Sequence, residues 1–423
     1  MEPLSLYLHI PFCQRKCPYC DFNTYAGLNR LHEPYAEALA QEIRLAGAQW
    51  DRPAVHTVFL GGGTPTVLEP ALLERVLVAC REAFYVLPDA EVTSEANPGT
   101  VDVSRFAVLR RLGVNRLSMG VQSFDPAELA FLGRIHSAEE AVDAFWAARA
   151  AGFDNINLDF IYGLPGQSPA TWRRTLERAI ALGPEHLSLY ALTIEEGTPF
   201  GEWAAAGRLA YPDADLAADL YELADELLAA AGYVQYEISN WAKDGGTEGR
   251  KGKEEKPDNP VPSPPSFAAS PSLPSWACRH NLTYWRNEAY LGCGPGAHSS
   301  VDGRRWANIK PVPAYIERVT ATAAAWTAPA AYQPFAAPWV EFVEELDERT
   351  RMAETMILGL RLVREGVSFE RFAQRHGRPL AEVFGSDIER LARQGQVEVR
   401  PDRVRLTQRA RLLGNQVFVA FLG

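Results

Sequence analysis

The chain has 423 residues, 47% hydrophobic and 22% charged, a globular composition with room for about two or three domains. With 42 Lys and Arg against 53 Asp and Glu the formal charge is −11, so the broad basic surface of a nucleic-acid binder is excluded. No run approaches the ~20 apolar residues of a membrane span. Met1-Glu2-Pro3-Leu4 opens without the basic and apolar regions of a secretory signal, so a cytoplasmic protein is expected.

From residue 4 to about 240, β-rich runs alternate with helical ones. Strands are predicted over 4–9, 55–60, 90–95, 116–121, 155–160 and 186–191, and helices over 35–48, 72–84, 138–151 and 171–182. This alternation implies βαβ units around a parallel sheet. The predicted fold class is α/β, an incomplete parallel (β/α)6 barrel occupying residues 1–242. Residues 243–275 are charged, then rich in Pro and Ser, and read as a disordered insertion. Residues 276–300 are aromatic and glycine-rich, and the segment 276–335 is expected to close one end of the barrel, with Tyr236–Trp241 forming a further strand. From 336 to 423 helices over 351–363, 369–375 and 380–394 precede short β-runs at 397–399 and 404–406, a helical, winged-helix-like C-terminal domain.

Six cysteines are too few and too unevenly spread for a disulfide framework. Cys13, Cys17 and Cys20 crowd into eight residues after the first strand, whereas Cys80, Cys278 and Cys293 are scattered. Pro11 and Pro18 forbid a continuous helix there, so the three thiols project from a loop. A structural zinc site wants a fourth ligand, for which His9 is a weak candidate. Three thiolates suit a [4Fe-4S] cluster that keeps one iron open. Gly61-Gly62-Gly63 after the second strand permits a close backbone approach to a ligand, or a tight βα turn only. Glu95, Gln122 and Asp159 end the next three strands, where barrel active sites are built; each alone is equally well a cap or a core hydrogen bond.

Cys-x3-Cys-x2-Cys after a first barrel strand resembles the radical S-adenosylmethionine (SAM) signature. The wider match resembles the oxygen-independent coproporphyrinogen III oxidase branch, and within it the haem-chaperone group. The resemblance implies a [4Fe-4S] cluster on Cys13, Cys17 and Cys20, with SAM on its open iron. It implies that Tyr7, Gly62 and Glu95 contact one SAM. Tyr19, Gly63, Thr64, Gln122, Arg134 and Asp159 match positions that hold a second SAM in the oxidases. Those oxidases carry a fourth cysteine where this chain has Phe22, and a long extension before the cluster. Both departures weigh against coproporphyrinogen decarboxylation, and no residue is assigned a catalytic role.

Cys278-Arg279-His280-Asn281-Leu282-Thr283-Tyr284-Trp285 resembles the His-Asn-x-x-Tyr-Trp motif tied to haem in the chaperone group. It implies His280 as an axial haem ligand, with Asn281, Tyr284 and Trp285 around it. Cys278 is a candidate axial thiolate, with a buried structural cysteine the favoured reading. Without that resemblance, a lone His beside aromatics is a hydrogen-bonded core residue. His298, in the glycine-rich Gly292–Ser299 segment, is either a cofactor contact or a satisfied loop histidine. The partners implied are haem and acceptor haemoproteins, with respiratory acceptors and a homodimer as candidates, and no nucleic acid.

Overall fold

The computed structural model describes residues 3–245, 273–326 and 333–422. Six strands carry the architecture: β1 (Leu4–Ile10), β2 (Ala54–Gly62), β3 (Tyr85–Ala96), β4 (Arg116–Gln122), β5 (Ile156–Tyr162) and β6 (His186–Ala191). They pair in that order, all parallel. The hairpin β7 (Tyr233–Glu237) and β8 (Asn240–Lys243) joins antiparallel to β6 through β8. On the other side β9 (Tyr290–Cys293) pairs parallel with β1. It is followed outward by antiparallel β10 (His298–Val301), β11 (Arg304–Asn308) and β12 (Val340–Glu345). The sheet therefore stays open, with order β12-β11-β10-β9-β1-β2-β3-β4-β5-β6-β8-β7.

Each parallel strand alternates. Leu4, Leu6, Leu8 and Ile10 of β1, and Leu117, Met119 and Val121 of β4, are buried in the main apolar core. The other parity turns inward and is polar: Ser118 and Gln122 of β4, Asn157 and Asp159 of β5, and Ser188 of β6 all line one lumen. Helices between the strands have explicit ends. Ser137 and Glu140 form a reciprocal capping box on Ala138–Ala150. Ser168 caps Pro169–Leu182, which stops at Gly183 in the left-handed conformation.

Two expectations are revised. Tyr236–Trp241 is a hairpin, not one strand: the Glu237 carboxylate accepts the Ser239 N–H at 3.0 Å and turns the chain. The proposed break at 336 precedes β12, which pairs with β11 in the large sheet. The second apolar core begins at Met352 and runs to Phe421. It is built from Glu348–Gly359, Phe369–His376 and Leu380–Arg393 with a three-stranded sheet, Val367–Ser368, Val397–Val399 and Arg403–Leu406. That is the winged-helix-like module expected from the sequence. The predicted insertion lies, apart from 243–245 and 273–275, outside the described residues.

One buried carboxylate ties the segment after the insertion to the barrel. Glu42, in the helix His32–Gln49, accepts from Gly294 N (2.7 Å), Asn308 Nδ2 (2.7 Å), Trp339 Nε1 (2.9 Å) and Tyr315 Oη (2.5 Å). Removing it strands four donors in a dry core. Glu42→Ala is expected to cost at least about 3 kcal/mol in urea unfolding. An unchanged midpoint would show that water reaches these groups.

Candidate functional site

The C-terminal ends of the parallel strands open onto a cavity of about 540 Å³. Cys13, Cys17 and Cys20 line it, with Tyr19, Gly62, Gly63, Thr64, Glu95, Gln122, Arg134 and Asp159. The cysteine loop is pinned to the glycine run: Gly63 N donates to Ile10 O and Thr64 N to Phe12 O, both at 2.8 Å. A Cβ on Gly63 would sit 2.6 Å from Phe12 O, and Gly62 has φ of +105° with His9 2.4 Å from its virtual Cβ. Glycine is required there by both close approach and backbone angle. The two alternatives for the run thus coincide, because the tight turn is what brings the backbone to the cavity.

Each thiol has its own polar neighbour. Arg134 Nη1 donates to Cys17 Sγ at 3.4 Å and Thr64 Oγ1 to Cys13 Sγ at 3.6 Å, while Thr24 Oγ1 lies 4.0 Å from Cys20 Sγ. Arg134 is itself held by Gly120 O at 2.7 Å. Donors of this kind stabilise thiolates and tune a cluster they hold. Among the described residues no three His, Cys, Asp or Glu side chains close around a single ion. His9 is not free to complete a zinc tetrahedron: its Nε2 donates to Asn23 O and its Nδ1 meets Tyr7 Oη, both at 2.9 Å. Three separately supported thiols around a cavity fit a polynuclear cluster better than one ion.

The carboxylates are enclosed. Glu95 accepts from Gly62 N at 3.0 Å. Burial, then the charge of Asp159, push its pKa up to about 8. Burial also raises Asp159, against donation from Asn157 Nδ2 (2.8 Å) and Ser118 Oγ (3.1 Å). Gln122 takes φ of 69° beside a register shift between β4 and β5. A non-glycine residue held there marks a constrained site position. Tyr7 stands one layer back from the lining: its hydroxyl is on His9 and its ring is 6.2 Å from Phe59, which does line the cavity.

The motif around His280 forms a short helix, Arg279–Trp285, that plugs the lumen at the opposite end of the strands. Glu91 of β3 caps it, accepting from Arg279 N and His280 N at 3.1 Å and from Cys278 Sγ at 3.5 Å. Asn281 points into the cavity. His280 does not: it is 1% exposed and stacked on Phe59 at 5.0 Å. Its Nδ1 is 2.8 Å from Thr57 Oγ1, which donates onward to Ser5, so the imidazole is the donor there. Its Nε2 then accepts from Tyr284 Oη at 3.0 Å. Burial, with the charges of His56 and Arg116, pulls its pKa down to about 3, so it is neutral. In this folded form the lone pair expected to bind haem iron is already used. Trp285 lies in a second cleft, against the C-terminal module. Cys278 is fully buried, and His298 faces Phe342 on the outer strands, away from the cavity.

An open parallel barrel with three thiols, a glycine run and carboxylates at its strand ends defines a radical SAM protein. The model of the radical SAM superfamily matches residues 7–179, and that of the HemN C-terminal domain residues 346–413. The chain is 37% identical over 428 residues to "Heme chaperone HemW" of Mycobacterium tuberculosis, covering all of this chain and 95% of that one. It is 36% identical over 420 residues to the Bacillus subtilis protein of the same name, with 99% of each covered. The solved structure of coproporphyrinogen III oxidase (HemN) from Escherichia coli superposes with a TM-score of 0.75 at 25% identity, covering 99% of this chain and 90% of that one. The chain belongs to the HemW family. Membership of the radical SAM superfamily implies a [4Fe-4S] cluster and SAM. No helix of the described residues is long and apolar enough to cross a membrane.

Sequence reasoning missed the deep lining: Phe59, Arg116, Ser118, Asn157, Ser188 and Tyr190. A signal existed at Arg116: it opens an alternating strand on the same parity as Ser118, Gly120 and Gln122, opposite the apolar Leu117, Met119 and Val121.

Proposed function

We propose that this protein is a cytoplasmic haem chaperone. It holds a [4Fe-4S] cluster on Cys13, Cys17 and Cys20, binds SAM in the barrel cavity, binds haem, and passes haem to acceptor haemoproteins. The relationship to the HemW proteins over the full chain carries this reading. Phe22 supports it: the side chain is 63% exposed at the cavity, where the oxidases place a further thiol. When bound, the cluster and SAM supply one-electron reductive chemistry. The protein's own contribution is to anchor the thiolates, support them through Thr64 and Arg134, and place carboxylates opposite a cationic ligand.

Haem ligation by His280, flanked by Asn281, Tyr284 and Trp285, belongs to the same proposal and makes a specific demand. Tyr284 must release Nε2 and the helix must open. Tyr284→Phe removes the competing donor, worth about 1 kcal/mol, so haem affinity should rise several-fold. His280→Ala should abolish the histidine-ligated Soret spectrum. If both variants match wild type in haem titrations, His280 is a wall residue and the iron is held elsewhere. Transfer of haem from the reconstituted protein to an apo-acceptor tests the chaperone reading itself.

The likeness to HemN favours a second reading, oxygen-independent coproporphyrinogen III oxidation. Protoporphyrinogen formation in an anaerobic assay with SAM and reductant would establish it in place of the chaperone reading.

A further inference from the structure

The barrel lumen contains a cation that its surroundings leave unsatisfied. Arg116, at the start of β4, is 1% exposed, yet no carboxylate forms an ion pair with it among the described residues. Its Nε is buried with no acceptor. Arg116 belongs to the inward parity of β4, with Ser118, Gly120 and Gln122, and like them it lines the cavity. The carboxylates within electrostatic reach are committed elsewhere. Glu91 spends both oxygens on the N-terminus of the Arg279–Trp285 helix. Asp159 spends its oxygens on Asn157 and Ser118. A guanidinium whose Nε–H has no acceptor is costly to bury, so such a group is retained where a ligand in the cavity completes it. Asn281 gives a second, independent sign. It lines the same cavity from the plug helix, on the side of the lumen that Arg116 also lines.

We propose that Arg116 and Asn281 form the floor of a carboxylate subsite in the lumen, separate from the thiol loop at the mouth. A planar guanidinium matches a carboxylate bidentately, and an amide N–H2 adds a further donor. A phosphate dianion fits less well, because Glu91 and Asp159 flank the arginine and repel a second negative charge. The residues match neither the thiol anchor nor the strand-end positions assigned to SAM, so the subsite receives a second carboxylate. Two sources share that chemistry: a haem propionate, or the carboxylate of a second SAM. In either case the ligand touches the helix that carries His280, so occupancy of the lumen is sensed by that motif. The choice of these two sources rests on the chaperone reading; the subsite itself does not.

The test uses the full chain with its cluster reconstituted, wild type against Arg116→Gln. Four probes are titrated: haem, haem dimethyl ester, SAM, and decarboxylated SAM, with the second equivalent of the SAM pair scored. Wild type is expected to prefer the free carboxylate of one pair by at least about tenfold, and Arg116→Gln to lose that preference. Loss in the haem pair assigns a propionate, and loss in the SAM pair assigns a second SAM. Asn281→Ala should narrow the same gap, which decides the matter if Arg116→Gln does not fold. A wild type with no preference in either pair, or a folded variant that keeps it, overturns the proposal. Absence of haem transfer with an Arg116-dependent SAM gap would instead reject the chaperone reading and leave the subsite standing.

Discussion

Cys17→Ser is expected to abolish the iron–sulfur centre. With two thiolates left, a cube loses one of its three anchored corners, and serine oxygen is a poor substitute for a soft sulfur ligand. Losing a supporting neighbour typically lowers metal affinity about 10–100-fold, and losing a ligand costs more. After anaerobic reconstitution, iron and sulfide should fall to background and the EPR signal of the reduced protein should vanish. Thr64→Val is the informative companion. It removes the hydroxyl that donates to Cys13 Sγ at 3.6 Å and leaves all three thiols in place. Iron and sulfide should stay at wild-type levels while the reduction potential moves negative, because one donor no longer offsets the added electron. Full cluster content in Cys17→Ser would mean that this thiol is not a ligand.

Glu95→Gln is expected to weaken SAM binding by about tenfold or more, since a buried carboxylate facing a cationic ligand acts as a charge-assisted partner. Its pH dependence distinguishes charge from shape. Folding holds the Glu95 proton up to about pH 8, whereas the unfolded chain releases it near the ordinary 4.5. The stability this contributes is complete below about pH 4.5 and is lost as pH rises through about 8. Glutamine cannot ionise, so the variant should lose less stability than wild type over that interval. Binding of a cation favours the ionised form. Wild-type SAM affinity should therefore rise toward pH 8, and that slope should flatten in Glu95→Gln. Asp159 contributes a neighbouring charge, so the measured midpoint belongs to the pair. Equal SAM affinity and equal pH slopes in the two proteins would place the ligand away from Glu95.

The parts of this protein legible in one dimension are those where local chemistry and tertiary demand agree. His186–Ala191 and Val397–Val399 have the bounds read from the sequence, because short apolar runs between turn residues have one comfortable conformation. Cysteine spacing, the glycine run and Glu95 near the end of β3 were legible for the same reason: each lies within a few residues of a strand end. Asp159, expected to end its strand, sits in the middle of β5, which runs on to Tyr162. The side of the strand ends on which the site forms follows from parallel βαβ order alone.

What lies inside the barrel was not legible, because it depends on contacts between residues far apart in the chain. Thr57 and His280 are 223 positions apart, and nothing in the motif around His280 says that its imidazole will be consumed by a strand hydroxyl on one side and Tyr284 on the other. Read locally, that histidine was a hydrogen-bonded core residue, and only the family resemblance made it a ligand; folding made its helix the plug of the lumen and gave both ring nitrogens partners. Arg116 shows the converse. Its charge was visible from the start, but only the inward parity of β4, and the commitment of Glu91 and Asp159 to other donors, leave it unpaired. Sequence alone settles which residue types meet at the end of a strand. Whether a polar group across the lumen is already satisfied is settled only when the sheet curls and the distant helix inserts, since hydrogen bonding is decided at about 3 Å and no periodicity carries that distance.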